Sequence, residues 1–82
     1  MSYVMIFEAP SIADELRLKP QARKVLAHLK SRHSISPLEA QNVYGVYRLA
    51  ASIHELRNAG FIIETQNKKD AAGHKYARYW LS

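Results

Sequence analysis

A stretch near the middle of the chain carries side chains suited to reading another molecule rather than transforming it. Tyr47, Ala51, His54 and Asn58 recur at helical spacing, so one helix face would carry all four. Arg48 and Glu55 flank that face on one side and Arg57 on the other. Asn58 has the paired donor and acceptor that match an adenine edge. Arg48 has the fork that matches guanine or a phosphate, and Ala51 leaves room or meets a thymine methyl. Lys68, Lys69 and His74 follow and suit phosphate oxygens. Glu55 fits a solvated or ion-pairing acid better than a reader of cytosine.

The same inventory points away from catalysis. Ser, His and Asp are present, but no nucleophile elbow and no glycine-rich phosphate loop accompanies them. The four histidines, His28, His33, His54 and His74, form no i, i+4 ligand pair with a carboxylate between. There is no cysteine, so disulfides, thiolate zinc sites and cysteine nucleophiles are excluded. The expectation is a non-enzyme with no metal and no cofactor.

The elements that must hold the reading face are legible in part. Pro20 suits a first helical position, and Ala22, Val25, Leu26 and Leu29 give one buried stripe, predicting a helix over 20–32. Ser36-Pro37-Leu38-Glu39 is a capping box with a proline start. It predicts a short second helix to about Tyr44, with Leu38 and Val43 as candidates for burial and Gly45 as its stop. A third helix is expected over 47–59, with Leu49, Ile53 and Leu56 inward and Gly60 then Phe61 ending it. Phe61 to Thr65 reads as a strand, 66–73 as a polar turn and His74 to Leu81 as the returning strand. Tyr76, Tyr79 and Trp80 fit strand packing better than base stacking.

Helix, tight turn, short helix, glycine turn, longer helix and basic hairpin, in that order, make an α+β winged helix-turn-helix: a three-helix core followed by a β-hairpin wing. The third helix would be the recognition helix and 66–74 the wing. Ile35 could add a minimal third strand. Each reading has a plain competitor. Arg48 could cap its helix or pair with Glu39, Arg57 could pair with Glu64, and Lys68 and Lys69 could be only a soluble loop tip. Residues 1–19 would form an N-terminal arm or short helix ahead of the domain at 20–82, with a strand-like apolar Met1–Phe7 and a capped turn from Ser11 through Leu16.

The run Ile35-Ser36-Pro37-Leu38-Glu39-Ala40, then Gly45, then Arg48 to Ile63, resembles a family of small helix-turn-helix domains common in bacteriophages and prophages. Tyr76-Ala77-Arg78-Tyr79-Trp80-Leu81 fits the end of that family's wing. The resemblance covers about 20–82 and implies DNA binding. The spacing between helices departs from the simplest repressor pattern and favours the winged subtype.

Charge agrees with a polyanionic partner. The 82 residues carry a net +5. Residues 1–16 contribute −3, through Glu8, Asp14 and Glu15, and 17–82 contribute +8. Arg17, Lys19, Arg23, Lys24, Lys30 and Arg32 fall in one acid-free stretch. No apolar run approaches the roughly 20 residues of a membrane span, and the first residues do not read as a signal peptide, so a cytoplasmic location is expected. The expected partner is double-stranded DNA, bound as a homodimer through the apolar arm. A transcription regulator or recombination accessory factor of phage or mobile-element origin fits best. The alternative is a protein-interaction module that modulates a host protein; RNA binding ranks below both.

Overall fold

The computed structural model describes residues 15–82. The expected arm at Met1–Phe7 and the Ser11 cap lie outside the described residues. Helix α1 spans Pro20–Arg32, β1 Ser34–Ile35, α2 Pro37–Tyr44, α3 Leu49–Asn58, β2 Ile63–Lys69 and β3 Lys75–Leu81. The strands form one antiparallel sheet in the order β1-β3-β2. The architecture is the α+β winged helix-turn-helix expected, and Ile35, opposite Tyr79, supplies the third strand.

The apolar stripes do what their spacing dictates. Ala22, Val25, Leu26 and Leu29 of α1 meet Leu49, Ile53 and Leu56 of α3, all buried. Leu18, Ile35, Ala40, Val46 and Ile63 complete the core from turns, the second helix and the sheet. Helix α1 ends at His33, which takes the left-handed conformation usually left to glycine (φ 72°) and donates its N–H to Leu29 O at 2.8 Å.

Helix α2 corrects one expectation. Its capping box is present: Glu39 N–H donates to Ser36 Oγ at 3.2 Å, and Ser36 N–H donates to Glu39 Oε1 at 2.9 Å. Yet Leu38 and Val43 are 65% and 62% exposed, not buried. Docking on α1 and the sheet sets the rotation of the helix, and Ala40 and Tyr44, four residues apart, take the inward face. Apolar burial here passes instead to Val46, just beyond the left-handed Gly45 (φ 67°). Because Ser36 is buried and caps the helix, Ser36→Ala is expected to cost about 1 kcal/mol in a urea unfolding titration.

The third helix is shorter than expected, Leu49–Asn58 rather than 47–59. The hairpin is longer. Gln66 to Lys69 belong to β2, not to a turn, and the connection shrinks to residues 70–74. Asp70 accounts for the difference. Its Oδ1 accepts the N–H groups of Ala72 at 2.9 Å and His74 at 2.8 Å, and Gly73 takes φ 87° to close the turn. A connection this tight sets the register Lys69 opposite Lys75, which draws the polar residues 66–69 into the ladder despite their weak strand preference.

Candidate nucleic-acid interface

Helix α3 begins without a side-chain cap. Tyr47 and Arg48, just before it, are exposed, and so are Ala50, Ala51, His54, Arg57 and Asn58 along it. With Leu49, Ser52, Ile53 and Leu56 turned inward, the remaining helix face is bare. Tyr47, Arg48, Ala51 and His54 line one shallow groove, closed at the sides by Pro37 of α2 and Tyr79 of β3. Four of the expected contact residues are thus brought together. Asn58 stands one turn beyond them, at the far end of the helix. Ala50 joins the groove without having been singled out in the sequence. Helical spacing gives no signal for it, because successive residues of a helix lie about 100° apart.

The acid on this helix is spoken for. Glu55 Oε2 accepts the backbone N–H of Lys19 at 2.8 Å, at the N-terminus of α1. That terminus has no side-chain cap and no acid in its own first turn. The carboxylate of Glu55 supplies both the missing acceptor and a negative charge at the positive end of the helix dipole. Arg48 has no ion-pair partner among the described residues, because Glu39 pairs with Arg78 instead, at 3.1 Å.

Arg57 is bound internally. Its Nε and Nη2 donate to Ile63 O at 3.1 and 2.6 Å, and Nη2 also donates to Thr65 Oγ1 at 2.9 Å. The guanidinium lies 6.0 Å from the centre of the Tyr79 ring. Neither Glu64 nor a free outward fork describes it. Arg57 ties the last turn of α3 to the base of the wing.

Lys68 and Lys69 stand on strand β2 as neighbours, so they point to opposite faces of the sheet. His74 closes the turn, with Nδ1 3.2 Å from Asp70 Oδ2. Of the α1 bases, Arg23 and Lys24 are exposed, while Lys30 pairs with Glu15 at 2.8 Å.

Arg78 was not anticipated. From the middle of β3 its Nη1 donates to Ser34 Oγ at 2.9 Å and to Glu39 Oε1 at 3.1 Å, joining the sheet to the capping box. Burial raises the Glu39 carboxyl. The Ser36 N–H and then the Arg78 charge outweigh it and hold the group below its ordinary value of 4.5. The ionised form therefore stabilises the fold fully above about that value. This contribution is lost as the pH falls through the lowered one. Melting curves between pH 6 and 3 are expected to show a steeper loss for the wild type than for Glu39→Gln. Parallel curves would remove Glu39 from the acid response.

A three-helix unit with a bare third helix, beside a hairpin that extends past the core, defines the winged helix-turn-helix class. The family model for the winged helix-turn-helix domain matches residues 20–82, and the chain belongs to that family. No curated protein and no solved structure matches the chain. Membership points to DNA as the general partner. No helix among the described residues is long and apolar enough to cross a membrane.

Proposed function

We propose that this chain is a sequence-specific double-stranded DNA-binding protein. It acts as a small transcription regulator or a recombination accessory factor of phage or mobile-element origin. Helix α3 enters the major groove, and Tyr47, Arg48, Ala51, His54 and Asn58 meet base edges or the adjoining phosphates. The wing lies on the backbone. The observation that carries this reading is the bare face of α3, where Arg48 has no ion-pair partner among the described residues and the one acid, Glu55, is turned to Lys19. Arg57 supports the site by holding helix and wing together.

One such domain makes few base contacts, so useful specificity calls for two copies on repeated half-sites. The arm at 1–7, ahead of the domain at 20–82, is the proposed dimer contact. Deleting residues 1–8 is expected to halve the mass in light scattering, and an unchanged mass excludes the arm.

The deciding experiment is a titration against random duplex and against duplex enriched by selection, at about 50 and 200 mM salt. An enriched motif, with affinity falling steeply as salt rises, supports the reading. Binding that is weak, flat in salt and indifferent to sequence overturns it. The protein-docking alternative would then lead, and the exposed Leu38 and Val43 on α2 are the observation in its favour.

A further inference from the structure

The hydrogen bonds of the wing fix which of its side chains share a face. Asp70 N–H donates to His74 O at 2.9 Å, and Ser82 N–H donates to Ile62 O at 3.0 Å. Both continue, one step beyond either end, the register that runs from Ile63 opposite Leu81 to Lys69 opposite Lys75. Directly hydrogen-bonded pairs alternate with pairs that are not. Counting from either end, Lys69 and Lys75 fall in the second kind, where the two side chains stand closest. They share the face of Ile63, Thr65 and Tyr79, the face that meets the core and Arg57. Lys68 lies on the other face, opposite Tyr76.

Two like charges directly opposite each other weaken a hairpin. Among the described residues no acid pairs with either lysine. An anion between the two ammonium groups would turn this repulsion into attraction. The position suits one. Lys69 stands six residues beyond Ile63, roughly 20 Å along the strand. A wing of that length reaches past the margin of a major groove about 12 Å wide, which brings the backbone flanking a duplex on α3 within its span.

We propose that Lys69 and Lys75 form a two-lysine phosphate site on the helix-facing side of the wing, and that Lys68 is not part of it. The phosphate's identity as duplex backbone rests on the DNA reading above; the site itself rests on the register. Lys75 is then a binding residue that its place in the sequence, beyond the turn, does not announce.

Three exposed single variants test this, K68Q, K69Q and K75Q, in the full chain with random-sequence duplex between about 50 and 200 mM salt. K69Q and K75Q are each expected to lower the slope of log affinity against log salt by about 0.9, with K68Q unchanged. Without DNA, K69Q and K75Q are expected to raise the melting temperature and K68Q to leave it in place. In the wild type, tripolyphosphate is expected to shift the amide resonances of Lys69 and Lys75 above that of Lys68. Equal slope losses in K68Q and K75Q, or tripolyphosphate shifts spread evenly over all three lysines, overturn the site. Tripolyphosphate shifts confined to Lys69 and Lys75 in a protein that ignores duplex DNA overturn the DNA reading and leave the site standing.

Discussion

Leu56→Ala is expected to remove about a quarter or more of the domain's stability. Leu56 is fully buried in the seam where α3 meets α1, among Val25, Leu29 and Ile53. Truncating a buried leucine costs about 3–5 kcal/mol, the transfer term plus the cavity left behind. A chain of this size holds only roughly 4–12 kcal/mol in all. At about 4–8 °C per kcal/mol, the melting temperature followed by circular dichroism should drop by about 12 °C or more. Leu38→Ala makes the same chemical change on the exposed side of α2 and is expected to shift stability by less than about 0.5 kcal/mol. Comparable losses in the two variants would mean that α2 does not sit as described.

On the binding side, Arg48→Ala is expected to have the largest effect of any single α3 variant. Arg48 is exposed just ahead of α3, the proposed recognition helix, at the end where helix-turn-helix proteins place their base-reading residues, and it has no ion-pair partner among the described residues. Losing a bidentate contact to guanine costs about 1–3 kcal/mol, roughly tenfold to over a hundredfold in affinity. If Arg48 meets phosphate instead, the loss is uniform across sequences and the salt slope falls by about one. Asn58→Ala separates affinity from reading. It is expected to relax the preference at one adenine position while leaving the salt slope intact. Selection on random duplexes with each variant reads both outcomes. A wild-type motif and wild-type affinity for Arg48→Ala would move the recognition surface off this helix end.

The helical core was legible because it is written in local periodicity. The stripe Ala22, Val25, Leu26, Leu29 and the stripe Leu49, Ile53, Leu56 are each one face of one helix, and all seven are buried. The capping box at Ser36 and Glu39 is likewise a four-residue signal, and both of its hydrogen bonds form. What was not legible depends on partners distant in sequence. The burial of Ala40 rather than Leu38 follows from how α2 docks on the rest of the core. Glu55 capping a helix 36 residues earlier, and Arg78 reaching back 39 residues to Glu39, leave no trace in local spacing. The wing shows a third kind of gap. Gln66, Asn67, Lys68 and Lys69 read as a turn by type, and only the tight closure at Asp70 turns them into strand. The candidate site follows the same division. The face of α3 came from helical spacing, whereas the inward duty of Arg57 and the facing of Lys69 and Lys75 came from tertiary contacts and register.

The bond from Arg57 to the Ile63 carbonyl also bears on how the molecule behaves at high concentration. Strand β2 lies at the margin of the sheet, and the ladder alternation directs the polar backbone groups of Ile63 away from β3. An unoccupied, apolar margin of this kind is a template on which further chains can add as strands. Arg57 occupies the acceptor at its most apolar point. Besides the Ile63 N–H, the outward backbone groups that remain open belong to Thr65, Asn67 and Lys69, where polar and charged side chains discourage the stacking of neighbours. A helix side chain thereby serves as a guard against fibrillar growth, and a chain without it would be vulnerable first at the base of the wing.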